Sequence, residues 1–318
     1  MNYLIASGIS FIIVLIISPL FKKLAENRGF VDVPTDRKKH SNPTPLIGGA
    51  AMYLGFSVAY LLFNVIGDLK NGDFKSLSIF IGGTLVLLIG IVDDYFKTRG
   101  KEFSVFPRAI TQLFAATLVF MAGVRFEGIN YVLFPWYFQY ILTVIWIFGV
   151  TTIINWSDGL DGLAGGLTAI SGGTLFICAV YKGQPDSAMM AVILIGAVLA
   201  FLKYNFFPAK IFMGDSGATF LGFMLASISL FGTFKQATVV SVFIPVLALG
   251  LPIIDNVFLV IKRALNKQPV YKADAGQLHH RLIEKGMTVK QVVVMLFLIS
   301  ICFNLTSIIV MLYSGKGF

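Results

Sequence analysis

Ten stretches of this chain are apolar over about the 17 to 25 residues that an α-helix needs to cross a bilayer. They run at roughly 4–21, 46–66, 77–92, 108–124, 137–155, 162–181, 187–204, 217–233, 237–254 and 290–313. Such runs admit few alternatives, because backbone N–H and C=O groups in hydrocarbon must find partners within the protein. The expected fold class is all-α: a polytopic membrane protein with ten transmembrane helices. Composition agrees, since 57% of residues are hydrophobic and 13% charged, against about a quarter charged in soluble domains. Glycine and proline inside several runs are tolerated in membrane helices. The first run has no basic residue before it and is followed at once by Lys22 and Lys23, which reads as a retained helix rather than a cleaved signal peptide. No internal repeat or low-complexity tract interrupts the chain, so residues 1–318 are expected to form one integral membrane domain. Cys178 and Cys302 both lie inside apolar runs, which suits packing and argues against a disulfide framework or a Cys-based metal site.

Ten spans put both termini on one side. Loops after odd-numbered helices carry 19 of the 25 Lys and Arg residues. By the positive-inside rule those loops are cytoplasmic and both termini are extracytoplasmic. The net charge of +9 is then mostly a topology signal, with anionic lipid or substrate as a secondary reading.

The same loops hold the acids. Beyond Asp36, Asp93 and Asp94 end the third run, Asp158 and Asp161 follow the fifth, Asp215 follows the seventh, and His279 and His280 follow the ninth. A carboxylate left in hydrocarbon costs several kcal/mol or goes neutral, so these groups should sit where water, metal or ligand reaches them. Their shared face predicts one convergent polar site at the cytoplasmic surface.

Each cluster has a plain reading beside the functional one. Asp93-Asp94-Tyr95-Phe96-Lys97 can be a solvated helix end, yet adjacent carboxylates repel unless a cation or proton joins them. In NWSDGLDGLAGG (155–166) the i, i+3 spacing puts Asp158 and Asp161 on one face if the segment is helical, and the glycines allow close approach to phosphate. Asp and Asn are equally ordinary turn and cap residues. MGDSG (213–217) opens the eighth run: a helix start offers amide donors to an anion, and Asp215 is a hard oxygen ligand of the kind Mg²⁺ prefers. A plain N-cap is the alternative. His279 and His280 lack a nearby cysteine and the i, i+4 spacing of a zinc site; phosphate binding with Arg281 suits them better, and so does no role at all. Asp255 reads as structural, marking the exit of the ninth helix, with 257–265 a basic amphipathic extension.

A divalent cation, phosphate-binding loops and an apolar surround are together what transfer of a phosphoryl-linked group from a soluble nucleotide to a lipid requires. A secondary transporter is the rival from another class. Transporters place such acids near the midplane, on broken helices related by an inverted repeat, and neither feature is visible here.

DDYFK (93–97), NWSDGLDGLAGG (155–166), NFFPAKIFMGDSG (205–217), GLPIIDNVFLVIKR (250–263) and LHHRL (278–282), in this order, resemble the polyprenyl-phosphate N-acetylhexosamine-1-phosphate transferases. The likeness extends over nearly the whole chain, including DRKKHSNPTPLIGG at 36–49. MGDSG, PIID and LHHRL look like the WecA/TagO branch, which uses UDP-GlcNAc, more than the MraY branch, which uses UDP-MurNAc-pentapeptide. Two positions depart from that branch: Gln277 stands where a further His is common, and Ala218 where a second Ser is usual.

The resemblance implies transfer of a UDP-activated N-acetylhexosamine 1-phosphate, most simply GlcNAc 1-phosphate, to undecaprenyl phosphate, with release of UMP. The product would be a polyprenyl-diphosphate sugar that initiates a cell-envelope polysaccharide. It implies Mg²⁺, with Mn²⁺ as a substitute, held by Asn155 and Asp215. Asp93 and Asp94 would face the lipid phosphate, Asp158 and Asp161 would shape the nucleotide pocket, and Asn205 and Phe212 would contact uracil. Lys97, His279, His280 and Arg281 would hold phosphates. Residues near 264–289 would select the sugar, with an MraY-type or other UDP-N-acetyl sugar specificity as the alternative. The implied setting is the bacterial cytoplasmic (inner) membrane, with the bilayer and a second copy of the chain as partners and no nucleic acid.

Overall fold

A computed structural model describes residues 2–32, 43–65, 74–129, 132–233, 239–266 and 276–314. Positions 36–42 of the 36–49 segment, including Asp36, Arg37, Lys38 and Lys39, and positions 267–275 of the expected sugar-selecting stretch lie outside the described residues.

The chain is built of helices α1 (Tyr3–Arg28), α2 (Gly48–Val65), α3 (Phe74–Thr98), α4 (Val105–Met121), α5 (Trp136–Ser157) and α6 (Leu163–Tyr181). These are followed by α7 (Pro185–Asn205), α8 (Gly214–Thr233), α9 (Val239–Ala248), α10 (Gly250–Leu265), α11 (Leu278–Glu284) and α12 (Val289–Ser314). Eight of them, α1, α2, α3, α5, α6, α7, α8 and α12, are long and apolar enough to cross a membrane. They coincide with eight of the ten apolar runs. The run at 108–124 becomes α4, apolar but only 17 residues long.

The run at 237–254 is not one helix but two, α9 and α10. Proline explains the break. Pro252 has no N–H to donate to the carbonyl four residues earlier, and its ring crowds that carbonyl. The released Ala248 carbonyl accepts instead from Ser171 Oγ of α6 at 2.6 Å and from Asn304 Nδ2 of α12 at 3.1 Å. A broken helix at membrane depth is viable when neighbouring helices re-satisfy the freed backbone in this way.

Helices α7 and α8 are enclosed on most sides, whereas α1 and α12 turn most of their surface outward. Lipid-facing side chains such as Leu4, Ile16, Leu88, Ile145, Leu298 and Leu305 are accordingly exposed. Small residues let α8 reach the centre. A Cβ at Gly90 of α3 would run into the Ser216 backbone, so only glycine lets α3 lie against the first turn of α8.

Two antiparallel strand pairs lie between helices among the described residues. Strands β1 (Val31–Asp32) and β2 (Thr44–Pro45) pair antiparallel, as do β3 (Gly128–Ile129) and β4 (Val132–Leu133). The Phe212 N–H donates to the Pro45 carbonyl at 2.8 Å, and the Gly48 N–H donates to the Phe212 carbonyl at 3.0 Å. These bonds fasten the segment before α8 to the start of α2.

Candidate active site

The first N–H groups of a helix have no intrahelical partner and carry its positive dipole end. At the start of α8 they are taken by Asp94, one turn short of the end of α3. Its Oδ1 accepts the Asp215 N–H at 2.8 Å and its Oδ2 the Ser216 N–H at 3.0 Å. The sequence suggested amide donors open to a ligand; the structure gives them to a side chain of the protein. Asp94 is 1% exposed, and these two bonds satisfy a charge that burial would otherwise penalise.

Asp93, also buried, points to the other partners. Arg108 of α4 sets Nη1 between Asp93 Oδ2, at 2.7 Å, and Asp215 Oδ2, at 3.0 Å. Lys97, one turn beyond Asp93 on α3, lies 3.6 Å from the same Asp93 oxygen and pairs directly with Asp215 Oδ2. Two carboxylates thus share two cations. Arg108 was the residue that reading the sequence missed as a site residue. The available signal, a cation opening an apolar run, had been absorbed into the topology count.

The turn after α5 forms the next wall. The Asp158 N–H closes the helix on the Asn155 carbonyl at 3.2 Å. The half-buried Asp158 carboxyl is pushed up to about 7, chiefly by burial and further by the negative charge of Asp215. Asn155 Oδ1 is buried with no hydrogen-bond partner among the described residues. Asp161 Oδ2 accepts the Ala209 N–H at 2.9 Å. Asn205 Oδ1 accepts the Gly162 N–H at 3.0 Å while its Nδ2 donates to the Ile211 carbonyl at 2.9 Å. Asp161 and Asn205 therefore staple the 158–162 turn to the 205–211 loop, and the Asn205 amide is engaged at both ends. Phe212 contributes the backbone bonds already described, and its side chain is half-buried.

Helix α11 closes the far side of that turn. His279 is 2% exposed, and a Cβ on Gly159 would overlap its imidazole. Burial, aided by the neighbouring His280, pushes its pKa down to about 3, so the imidazole is neutral. Its Nε2 has no hydrogen-bond partner among the described residues. The His280 ring lies 4.3 Å from that of His279. Arg281 is exposed, its guanidinium 5.5 Å above the Phe258 ring.

The structure thus joins Asp93, Asp94, Lys97, Arg108 and Asp215 directly. It brings Asp158 within electrostatic reach of Asp215, and seats His279 on the same turn through Gly159. Asn155, Asp93, Asp158 and Asp215 supply hard oxygen donors of the type that hold Mg²⁺. Among the described residues, no three His, Cys, Asp or Glu side chains stand grouped as a metal-binding set.

Fold and site define a multi-pass membrane enzyme with its charged chemistry gathered at one end of a helical bundle. Residues 76–233 match the family model of glycosyl transferase family 4. Over 313 residues the chain is 36% identical to a probable undecaprenyl-phosphate N-acetylglucosaminyl 1-phosphate transferase of Bacillus subtilis, covering 96% of this chain and 84% of the relative. It is 30% identical over 308 residues to the decaprenyl-phosphate N-acetylglucosaminephosphotransferase of Mycobacterium tuberculosis, covering 87% and 74%. With an undecaprenyl-phosphate alpha-N-acetylglucosaminyl 1-phosphate transferase of Yersinia pestis it shares 28% over 287 residues, covering 87% and 76%. The chain belongs to glycosyl transferase family 4, the polyprenyl-phosphate N-acetylhexosamine-1-phosphate transferases, in their WecA/TagO-like branch.

Proposed function

We propose that this protein transfers GlcNAc 1-phosphate from UDP-GlcNAc to undecaprenyl phosphate, releasing UMP and leaving a polyprenyl-diphosphate GlcNAc. The observation that carries this reading is the shared pairing of Asp93 and Asp215 with Lys97 and Arg108, in a chain with relatives of that named activity along nearly its full length. In the proposed topology the eight long helices, α4 and the α9–α10 pair make ten spans. The site then lies on the cytoplasmic face of the bacterial inner membrane, with both termini outside, as the distribution of Lys and Arg suggests.

In the reaction, a lipid phosphate oxygen forms a bond to the sugar-linked phosphorus of the UDP-sugar as the bond from that phosphorus to the oxygen bridging to UMP breaks. One phosphoanhydride replaces another, so the exchange is close to isoenergetic. The second pKa of a phosphate monoester is about 6, so the nucleophile is already largely ionised at neutral pH. Positioning and charge neutralisation then matter more than removal of a proton. Asp93 needs no role as a base, consistent with its engagement by Arg108.

The oxygen donors fit Mg²⁺, with Mn²⁺ as a substitute. Asn155 Oδ1 is buried without a hydrogen-bond partner among the described residues, and Asp215 presents a carboxylate on the next wall. Bound there, the cation would neutralise the pyrophosphate. Lys97 and Arg108 turn from the two aspartates toward incoming phosphates, while Asp94 keeps the start of α8 in place. Asp158, Asp161 and Asn205 hold the nucleotide pocket in shape, and the Phe212 ring contacts the uracil. His279 donates or accepts a hydrogen bond as a neutral imidazole; His280 and Arg281 supply further phosphate contacts.

The test is UMP release by the purified protein from UDP-GlcNAc with undecaprenyl phosphate and Mg²⁺, with UDP-MurNAc-pentapeptide in a parallel reaction. UMP and a lipid-linked GlcNAc should appear together and vanish with a chelator. Turnover of the pentapeptide nucleotide instead, or of neither, overturns the proposal.

A further inference from the structure

Helix α11 has seven residues, too few to be stable in isolation, so other elements must hold its histidines and arginine in place. Leu278, Leu282 and Ile283 pack into an apolar cluster with Val292, Val293 and Leu296 of α12, and a polar hold comes from α10. Asp255 accepts the Leu278 N–H on both carboxylate oxygens, at 2.9 and 3.1 Å. Three residues further along α10, Phe258 lies under the guanidinium of Arg281, itself three residues beyond Leu278. Two contacts one turn apart on both helices fix α11 against α10 in translation and in rotation. A third point ties the pair to the catalytic wall: Gln277 Nε2 donates to the Trp156 carbonyl at 3.2 Å, in the last turn of α5. Trp156 in turn has the guanidinium of Arg263, from α10, 5.6 Å over its ring.

We propose that Asp255 is a positioning residue for the transfer reaction. Through Leu278 it sets the register of α11, and with Gln277 it holds His279, His280 and Arg281 against the turn that carries Asp158. Its effect on catalysis rests on the function proposed above; the latch itself does not. The bond is charge-assisted and partly shielded, so its loss should matter more than that of a surface contact. Asp255 reaches substrate through α11, not by touching it.

The experiment uses the full-length protein in lipid nanodiscs and two variants that remove the same bond from opposite sides. Asp255→Ala deletes the acceptor. Leu278→Pro deletes the donor at the first helical position, where proline is tolerated, after a Gln277 whose φ of −64° and ψ of 155° suit a residue preceding proline. Hydrogen exchange of residues 276–284 reads the docking of α11, and transfer kinetics read its consequence. Each variant should lose about tenfold in amide protection of α11 and in kcat/KM for UDP-GlcNAc, with the melting temperature of the bundle unchanged. The double variant should lose no more than either single one, and Asp255→Asn, which keeps one acceptor oxygen, should recover most of both. Wild-type protection or wild-type kcat/KM in Asp255→Ala overturns the proposal, and so does lost transfer with α11 still protected, which would make Asp255 a direct participant. If Asp255→Ala does not fold, Leu278→Pro and Asp255→Asn carry the same readouts. If the unaltered protein transfers no sugar phosphate, the functional reading fails while hydrogen exchange still judges the latch.

Discussion

Asp94 Oδ1 on α3 receives the backbone N–H of Asp215 on α8 at 2.8 Å, so the residue before the start of a buried helix is replaced, as a cap, by a side chain more than a hundred positions away. Hydrogen bonds to charged groups contribute about 1.5–3 kcal/mol. Asp94→Ala removes two and leaves both α8 amides bare. It should lower the melting temperature by several degrees and reduce transfer at least tenfold, whereas Asp94→Asn, retaining one acceptor, should fall between. Thermal melts in detergent beside UMP-release assays decide it; an unchanged melt for Asp94→Ala would remove the capping role.

Asp215 has a different kind of importance. Its Oδ2 accepts from both Lys97 and Arg108, and in the proposed function it also holds the metal. Asp215→Ala should cost about 10²–10³ in rate, the size expected for losing an electrostatic partner of the transition state, while the protein still folds in membranes. Asp215→Asn should need more Mg²⁺ to reach half its maximal rate. A near-normal, Mg²⁺-dependent rate in Asp215→Ala would refute ligation by this residue.

The pH dependence should report Asp158. Its carboxyl is pushed up to about 7 by burial and by Asp215, from an ordinary 3.8. Between those values the folded protein holds a proton that the unfolded chain has lost, so stability falls as pH rises from about 4 to about 7 and is flat above. Activity that needs the carboxylate ionised rises over the upper part of that window. The rate profile should show a limb with its midpoint near pH 7, absent in Asp158→Asn and displaced to lower pH as Mg²⁺ is raised, because a nearby cation favours the ionised form. A limb that persists in Asp158→Asn assigns it to another group.

The break between α9 and α10 should depend on two side chains. Ser171 and Asn304 both donate to the carbonyl that Pro252 releases. Ser171→Ala or Asn304→Leu alone leaves one donor and should cost about 1 kcal/mol, in the range of interhelical bonds in membranes. The double variant orphans the carbonyl and should cost more than the sum. Unfolding titrations of the single and double variants measure that coupling, and strict additivity would show that the carbonyl finds another partner.

Much of this molecule is legible in its sequence. Eight apolar runs became long helices at nearly the expected positions, because whether a segment prefers hydrocarbon is a sum over its own residues. The acids of DDYFK, SDGLDG and MGDSG were recognisable as a set, since charges on such a background must meet water or one another. Reading along the chain also singled out Asp255 and Gln277, without showing that they join α10, α11 and α5.

What stayed hidden depends on which helices become neighbours. Arg108 looked like one topology residue among many until α4 lay beside α3 and carried its guanidinium to Asp93 and Asp215. Proline in the run at 237–254 was expected to be tolerated within one helix; the break, and the accommodation of the Ala248 carbonyl by Ser171 and Asn304, depended on helices on either side in sequence. Asp94 was expected to face the lipid phosphate, and nothing in the sequence shows that its carboxylate also caps α8. Hydropathy and helix length are local quantities, so the chain alone determined that it would cross a membrane and roughly where. Hydrogen bonds and ion pairs are made across helices and act over a few ångströms. Only the packed bundle, through close approaches such as that of Gly90 to Ser216, could decide which carboxylate binds a cation and which one caps a helix.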